Sequence, residues 1–248
     1  AENAGGPSAI KYGVTSHYVL GLKGYFGNGD YFELGGKCHK NVAGYDLISL
    51  LVGSEGTLAI ITEITIKLIP RFRYSYSYWC TFSSIQNACN FLLDVTNSSI
   101  QVSAAEFIEY NCIKAVKHYL NTKYSWASGP SVLLRYDTNN PAENNTIKTL
   151  LSNHNNVSTY RVSNHDNAPF WKIRKSCSEA LAHYYKNKVS EDITIPPAKI
   201  SKYLHHVKQF ESEGIKIICY GHLGDGNIHT NVVNEHLDHK TWTKKNQA

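Results

Sequence analysis

Two histidines seven positions apart, His222 and His229, bracket the sharpest chemical signal in the chain, Tyr220-Gly221-His222-Leu223-Gly224-Asp225-Gly226-Asn227-Ile228-His229-Thr230-Asn231. Apolar runs at 215–219 and 228–233 flank Asp225-Gly226, a dipeptide that a type I′ hairpin turn prefers. With that pair as the turn, Leu223 faces Ile228 and His222 faces His229. Directly opposed residues hold their Cβ atoms about 4.5–5.5 Å apart, within reach of one metal ion. Asn227 and Asn231 fall on the same side by two-residue alternation. Two imidazoles make half of a transition-metal site, and a third ligand is required. A solvated hairpin carrying two surface histidines explains the same spacing.

A second segment, Phe170-Trp171-Lys172-Ile173-Arg174-Lys175-Ser176-Cys177-Ser178-Glu179-Ala180-Leu181, is predicted as one helix. Its spacing sets Trp171, Arg174, Ser178 and Leu181 on one stripe. Guanidinium offers a planar pair of donors, so Arg174 with a hydroxyl one turn away is a carboxylate clamp. An amphipathic helix whose arginine covers apolar surface with its stem fits the pattern as well. Glycine clusters at Asn3-Ala4-Gly5-Gly6-Pro7 and Gly53-Ser54-Glu55-Gly56-Thr57 let a backbone approach a phosphate or a flat ring closely. Neither is a G-x-G-x-x-G or Walker loop, and tight turns between strands account for them too.

These residues need elements to hold them. The first seventy residues are β-rich. Asn28-Gly29 signals a hairpin, and a strand after Gly56 carries Ile60, Ile64, Ile66 and Leu68 on one side, with Glu63, Thr65 and Lys67 on the other. Pro70 ends it, and a domain boundary is expected between Pro70 and Phe72. Beyond it, Tyr74, Tyr76 and Tyr78 alternate with serines as a strand. A helix capped by Ser83 or Ser84 buries Ile85, Cys89, Leu92 and Leu93. A strand at 102–108, a helix at 110–120 and a strand at 131–136 follow. Asn140-Pro141 then opens a helix that buries Ile147, Leu150 and Leu151. This rhythm predicts an α+β sandwich with helices on one face of an antiparallel sheet.

Composition narrows the class. At 248 residues with 42% hydrophobic and 18% charged residues, the chain has enough apolar material for a real core. The net charge of +5 is scattered without a Lys/Arg run, so a nucleic-acid partner is not expected. No apolar run reaches the roughly 18–20 residues that span a bilayer. Six cysteines without C-x-x-C spacing suit a reducing, cytoplasmic setting. With no Met, even at position 1, the sequence reads as a section of something longer.

Several motifs in one order carry a resemblance. They are Ala1-Glu2-Asn3-Ala4-Gly5-Gly6-Pro7, Lys11-Tyr12-Gly13-Val14-Thr15, Tyr18-Val19-Leu20-Gly21-Leu22, Lys40-Asn41-Val42-Ala43-Gly44-Tyr45-Asp46-Leu47, Gly53-Ser54-Glu55-Gly56-Thr57-Leu58, Ile60-Ile61-Thr62-Glu63 and the 221–231 segment. Together they resemble the FAD-linked oxidases of the vanillyl-alcohol-oxidase type, in the branch of glycolate oxidase and the D-lactate and D-2-hydroxyglutarate dehydrogenases. The resemblance implies the later part of a FAD-binding (PCMH-type) domain over 1–70, then a ferredoxin-like α+β substrate domain, incomplete, over 71–248. It implies FAD bound by Asn3, Gly5, Gly6, Gly53, Gly56, Thr57 and the backbone at Ile60 and Ile61. It further implies Arg174 on the substrate carboxylate, Asn231 beside the substrate, and His222 and His229 as ligands of a divalent metal (Zn, Mn or Fe).

The implied reaction oxidises a small D-2-hydroxy acid, of the glycolate or D-lactate type, to the 2-oxo acid with hydride transfer to flavin. A separately encoded upstream half or further oxidase subunits are the implied partners. Three departures stand out. The family's upstream Pro-Gly-rich loop and downstream Gly-Glu-His-Gly segment are not within these residues, and Ala59 stands where the family usually has Gly. The alternative is a non-catalytic fragment of a decayed or split gene of this family.

Overall fold

Tyr74 to Phe82 alternates residues toward two different apolar layers, and that alternation organises the larger part of the fold. The computed structural model describes every residue except 1, 99, 124, 126, 154–156, 164–168, 236–241 and 243–248. The chain divides into two compact units, Ala1–Arg71 and Phe72–Ala248. Among the described residues no helix is long and apolar enough to cross a membrane.

In the first unit, the short helix α1 (Ala9–Tyr12) precedes strands β1 (Val19–Phe26) and β2 (Tyr31–Gly35); helix α2 (Leu47–Leu51) and strand β3 (Ala59–Ile66) follow. The strands form an antiparallel sheet in the order β2-β1-β3. The hairpin forms where Asn28-Gly29 signals it, but its loop is the three residues Gly27-Asn28-Gly29 rather than two: the Phe26 N–H donates to the Asp30 carbonyl and the Gly29 N–H to the Phe26 carbonyl, both at 2.9 Å, with Gly29 at φ 90°. Asp46 caps α2, its carboxylate accepting from the Ser49 backbone N–H at 3.0 Å and hydroxyl at 2.7 Å. Leu22, Phe32, Leu51 and Ala59 form the core, so the Ala59 methyl is buried among apolar side chains.

The expected grouping of Ile60, Ile64 and Ile66 on one side fails. Lys23 pairs with Glu63, but Gly24 pairs with Ile61, leaving Thr62 as a bulge. One extra residue reverses the side-chain alternation. Ile60 therefore shares a face with Tyr25 and Glu63, while Ile64 shares the opposite face with Leu22.

The second unit runs β4 (Tyr74–Phe82), α3 (Ile85–Asn97), β5 (Ala104–Ile108), α4 (Tyr110–Tyr119), β6 (Ser131–Thr138), α5 (Asn144–Asn153) and β7 (Val157–Ser163). It continues with α6 (Pro169–Lys175), α7 (Cys177–Tyr184), β8 (Asn187–Thr194), α8 (Ile200–Lys208), β9 (Lys216–His222) and β10 (Asn227–Asn234). All strand pairs in its sheet are antiparallel, in the order β7-β4-β6-β5-β9-β10-β8. The segment β7-β4-β6-β5 has the ferredoxin-like arrangement, and β9-β10-β8 extends it. Ser84 caps α3, its hydroxyl accepting from the Asn87 N–H at 3.1 Å.

Helices cover both faces of this sheet, not one. The reason lies in the central strands. Trp79, Leu133 and Ile108 are buried on one side, and Tyr78, Cys80, Phe82, Leu134 and Phe107 on the other, so each side needs its own apolar cover. On the first side Phe170 of α6 packs against Trp79, ring centroids 6.0 Å apart, with α4 and α7 in the same cluster. On the second, Phe91 of α3 meets Phe82 at 5.2 Å, Asn144 of α5 accepts from the Tyr78 hydroxyl, and Tyr203 of α8 meets Thr230 at 2.7 Å.

Two local expectations are corrected. Asp225-Gly226 is not a two-residue turn: His222 pairs with Asn227, and His229 pairs with Tyr220. The loop is wider because Leu223 is buried, the Gly224 N–H reaches the Ala105 carbonyl at 3.3 Å, and the Gly226 N–H closes on the His222 carbonyl at 3.0 Å. The predicted helix over 170–181 is broken at Ser176 into α6 and α7. The Ser176 N–H is shared between the Lys172 and Ile173 carbonyls, at 3.1 and 3.2 Å, which tightens the turn there.

Candidate active site

Strand register assembles the site. Glu106 of β5 stands opposite His222 of β9, and His222 opposite Asn227 of β10. In the next row on the same face, Tyr220 pairs with His229, and His229 with Asp192 of β8. In the row after that, Ile218, Asn231 and Ser190 align. Two-residue alternation directs all of these to the face that α6 covers.

Helix α6 brings Arg174 down onto these rows. Trp171 fixes the helix, donating from its indole Nε1 to the Ser77 hydroxyl at 2.8 Å, while Arg135 lies over its ring at 5.3 Å. Arg174 is 8% exposed, and its Nε donates to Oε2 of Glu106. Its guanidinium carbon lies 5.0 Å from the Tyr220 ring centroid, a cation–π arrangement. Burial opposes the charge on Arg174, but Glu106, together with Cys177 and Tyr220, raises its pKa. Burial pushes the Tyr220 hydroxyl up to about 12.

The two imidazoles each rest on a carboxylate through Nδ1. His222 Nδ1 lies 2.6 Å from Oε1 of Glu106, and His229 Nδ1 lies 2.5 Å from Oδ1 of Asp192. The rings are 5.4 Å apart between centroids. Metal-ligating histidines commonly carry such a carboxylate on the nitrogen away from the ion. Burial, the largest influence, holds the His229 pKa below the usual histidine value; Asp192 opposes it, while Arg174 and His222 add to it. A neutral imidazole is the form that binds a cation. Among the described residues, no group of three or more His, Cys, Asp or Glu is arranged to hold a metal ion.

Asn231 sits in the same rows but is 0% exposed, and its carboxamide is committed. Its Nδ2 donates to the carbonyls of Ile218 and His229 at 3.1 and 3.2 Å, and its Oδ1 accepts from Ser190 at 2.7 Å. Ser178, expected on the Arg174 stripe, is exposed beyond the helix break and accepts from Lys188 Nζ at 2.9 Å.

In the first unit, the two glycine segments meet. Asn3, at φ 55°, accepts from the Ser16 N–H at 2.8 Å, and a Cβ on Gly53 (φ 98°) would lie 3.4 Å from the Asn3 Cβ. Gly5, Gly56 and Thr57 are exposed and Gly6 is half-buried beside them; the Thr57 hydroxyl donates to the Ser54 carbonyl at 2.6 Å. Ile60 and Ile61 pair with Tyr25 and Gly24, and the Ile60 side chain is 71% exposed.

Three residues of the site carry no signal in the local sequence reading: Glu106, Asp192 and, as the ring beneath Arg174, Tyr220. Glu106 lies 116 residues from His222 and Asp192 lies 37 residues from His229, so only the sheet order joins them.

The model of the family described as FAD linked oxidases, C-terminal domain, matches residues 72–248. The glycolate oxidase subunit GlcD of Bacillus subtilis is 32% identical, over 92% of this chain and 50% of its own length. A D-lactate dehydrogenase of Archaeoglobus fulgidus is 34% identical, over 92% and 51%. A D-2-hydroxyglutarate dehydrogenase of Xanthomonas citri pv. viticola is 30% identical, over 94% and 51%. The chain thus spans about half the length of these relatives. Among solved structures, an alkyldihydroxyacetonephosphate synthase superposes with a TM-score of 0.70 at 15% identity, covering 100% of this chain and 50% of its own. P-cresol methylhydroxylase gives 0.63 at 10% identity, over 93% and 53%. These two likenesses concern the fold. The match over 72–248 includes every residue of the Arg174–Glu106–His222 arrangement, and the chain belongs to the FAD-linked oxidases through their C-terminal domain.

Proposed function

We propose that this chain takes part in the FAD-dependent oxidation of a small D-2-hydroxy acid, of the glycolate or D-lactate type, to the 2-oxo acid. The observation that carries the reading is Arg174: a buried cation, seated on Tyr220 and next to two histidines that are each backed by a carboxylate. A planar guanidinium in a dry site suits a substrate carboxylate. The substrate class is supported by the names of the relatives, which act on glycolate, D-lactate and D-2-hydroxyglutarate.

In this reading, residues 1–70 belong to the flavin-binding domain and 71–248 to the substrate domain. Asn3, Gly5, Gly6, Gly53, Gly56, Thr57, Ile60 and Ile61 would hold FAD. The fit rests on two exposed glycine loops that lie side by side at Asn3 and Gly53. When bound, the flavin supplies the acceptor for the hydride. His222 and His229 would hold a divalent cation (Zn, Mn or Fe), and their Nδ1–carboxylate pairs suit that role. Arg174 orients the acid, and Asn231 braces the strand that carries His229. Other oxidase subunits or an upstream half are the proposed partners, in the cytoplasm.

The test is anaerobic. The purified chain is incubated with FAD and a divalent cation, then with glycolate or D-lactate, and flavin bleaching is followed. Bleaching in the wild type and its loss in Arg174→Lys, which keeps a cation for Glu106 but removes the planar fork, support the reading. A chain that retains no flavin and bleaches none overturns it for these 248 residues and favours the non-catalytic alternative.

A further inference from the structure

Glu106 is 0% exposed and holds two functional groups with separate oxygens: Oε2 takes the Nε–H of Arg174, and Oε1 faces Nδ1 of His222 at 2.6 Å. We infer that Glu106 is a positioning residue that sets the tautomer of His222 and the presenting edge of Arg174 together. This deepens the proposed function and rests on that reading for what the two groups then grip; the tautomer itself does not depend on it.

A carboxylate only accepts. Against Oε1, Nδ1 of His222 must therefore carry a proton, and in the neutral ring this leaves the Nε2 lone pair as the outward group. Against Oε2, the Nε–H of Arg174 is consumed, which leaves the two terminal NH₂ groups as the free fork. One side chain thus turns an imidazole into a ligand and a guanidinium into an end-on clamp. Its place in the centre of a sheet, opposite both Leu133 and His222, keeps it from following either partner. Asp192 does the same for His229 on its own, but from the edge strand and with its side chain 66% exposed.

A carboxamide cannot replace this arrangement. In Glu106→Gln, the amide oxygen accepts from Arg174, so the NH₂ faces His222 and Nδ1 must become the acceptor. The proton then moves to Nε2. The reverse orientation sets NH₂ against N–H at Arg174. The experiment records two-bond proton–nitrogen correlations of histidine in the nitrogen-labelled full chain, without flavin or metal, at about pH 8, above the ordinary histidine range. The expected result is Nδ1–H for His222 in the wild type and in Glu106→Asp, a shift to Nε2–H in Glu106→Gln, and no change at His229. An Nε2–H or doubly protonated His222 in the wild type overturns the assignment, as does an unchanged His222 in folded Glu106→Gln. If Glu106→Gln does not fold, the wild-type spectrum still decides. Failure of the flavin assay leaves these spectra untouched, and a wrong tautomer leaves the flavin assay untouched, so the two readings fall separately.

Discussion

The guanidinium of Arg174 lies over the ring of Tyr220, 5.0 Å from centroid to carbon, with its Nε tied to Glu106. The cation is therefore held on two sides by the sheet beneath it, and the helix that carries it is pinned through Trp171. Tyr220→Leu is expected to lose about 0.5–2 kcal/mol of that support, with Tyr220→Phe close to wild type. Urea unfolding measures the first, and the affinity for oxalate, a non-oxidised dicarboxylate, should weaken in parallel. Equal behaviour of the two variants would show that the ring does not hold the cation.

Trp171 and Ser77 form a buried indole–hydroxyl bond of 2.8 Å. Trp171→Phe leaves the Ser77 hydroxyl without that donor and is expected to cost about 1–3 kcal/mol. The double variant with Ser77→Ala should recover part of the loss in thermal unfolding, since it removes the stranded hydroxyl.

Lys208 reaches the buried Glu109 at 2.6 Å, and Glu109 also accepts from the Cys219 N–H at 2.9 Å. Burial opposes the charge on Lys208, yet Glu109 and Glu211 hold its pKa above the usual value. Lys208→Met strands a buried carboxyl group and is expected to cost about 3–5 kcal/mol. Adding Glu109→Gln should return much of it in denaturant titration.

Gly226 sits at φ 87°, and a Cβ there would stand 2.1 Å from the Ile195 carbonyl oxygen. Gly226→Ala must move the loop that joins β9 to β10, at an expected cost of about 1–3 kcal/mol. Amide chemical shifts should change at His222 and His229 while those of α3 stay in place.

Asp46 predicts a pH dependence. The Ser49 hydroxyl, and then its backbone N–H, hold the Asp46 pKa below the usual 3.8. As pH falls, the unfolded chain takes up this proton first, so the cap's contribution is full above about 3.8 and is lost as pH drops through the lower folded value. Asp46→Asn keeps a capping oxygen and should flatten this acid limb of the stability curve, while Asp46→Ala should lower stability near neutral pH and converge on wild type once Asp46 is protonated in the folded chain.

Much of the fold is legible in the sequence because its signals are local. The Asn28-Gly29 turn, the Ser84 cap and the tyrosine alternation of β4 each depend on a few neighbouring residues. The site is legible only in part. Arg174, His222 and His229 stand out by type and spacing, but their pairing does not. A single bulge at Thr62 reversed one strand, and a buried Leu223 widened one turn, shifting the histidine opposite His222 to an asparagine. Helices on the second face follow from apolar residues on both sides of β4 and β6, which alternation shows only once the partner strands are known. Glu106 and Asp192 remained hidden because an isolated acidic residue in a strand is indistinguishable from a solvated one until its neighbour across the sheet is known.

β5 and β9 are joined by only three residue pairs, the fewest of any strand pairing in the larger sheet among the described residues. Glu106 stands on one bank of that seam and His222 on the other. A ligand grasped jointly by Arg174 and His222 would act as a clasp across the narrowest join, so occupancy should slow amide exchange along β5 and β9 more than at the sheet's outer strands. Binding and mechanical closure would then be two descriptions of one equilibrium.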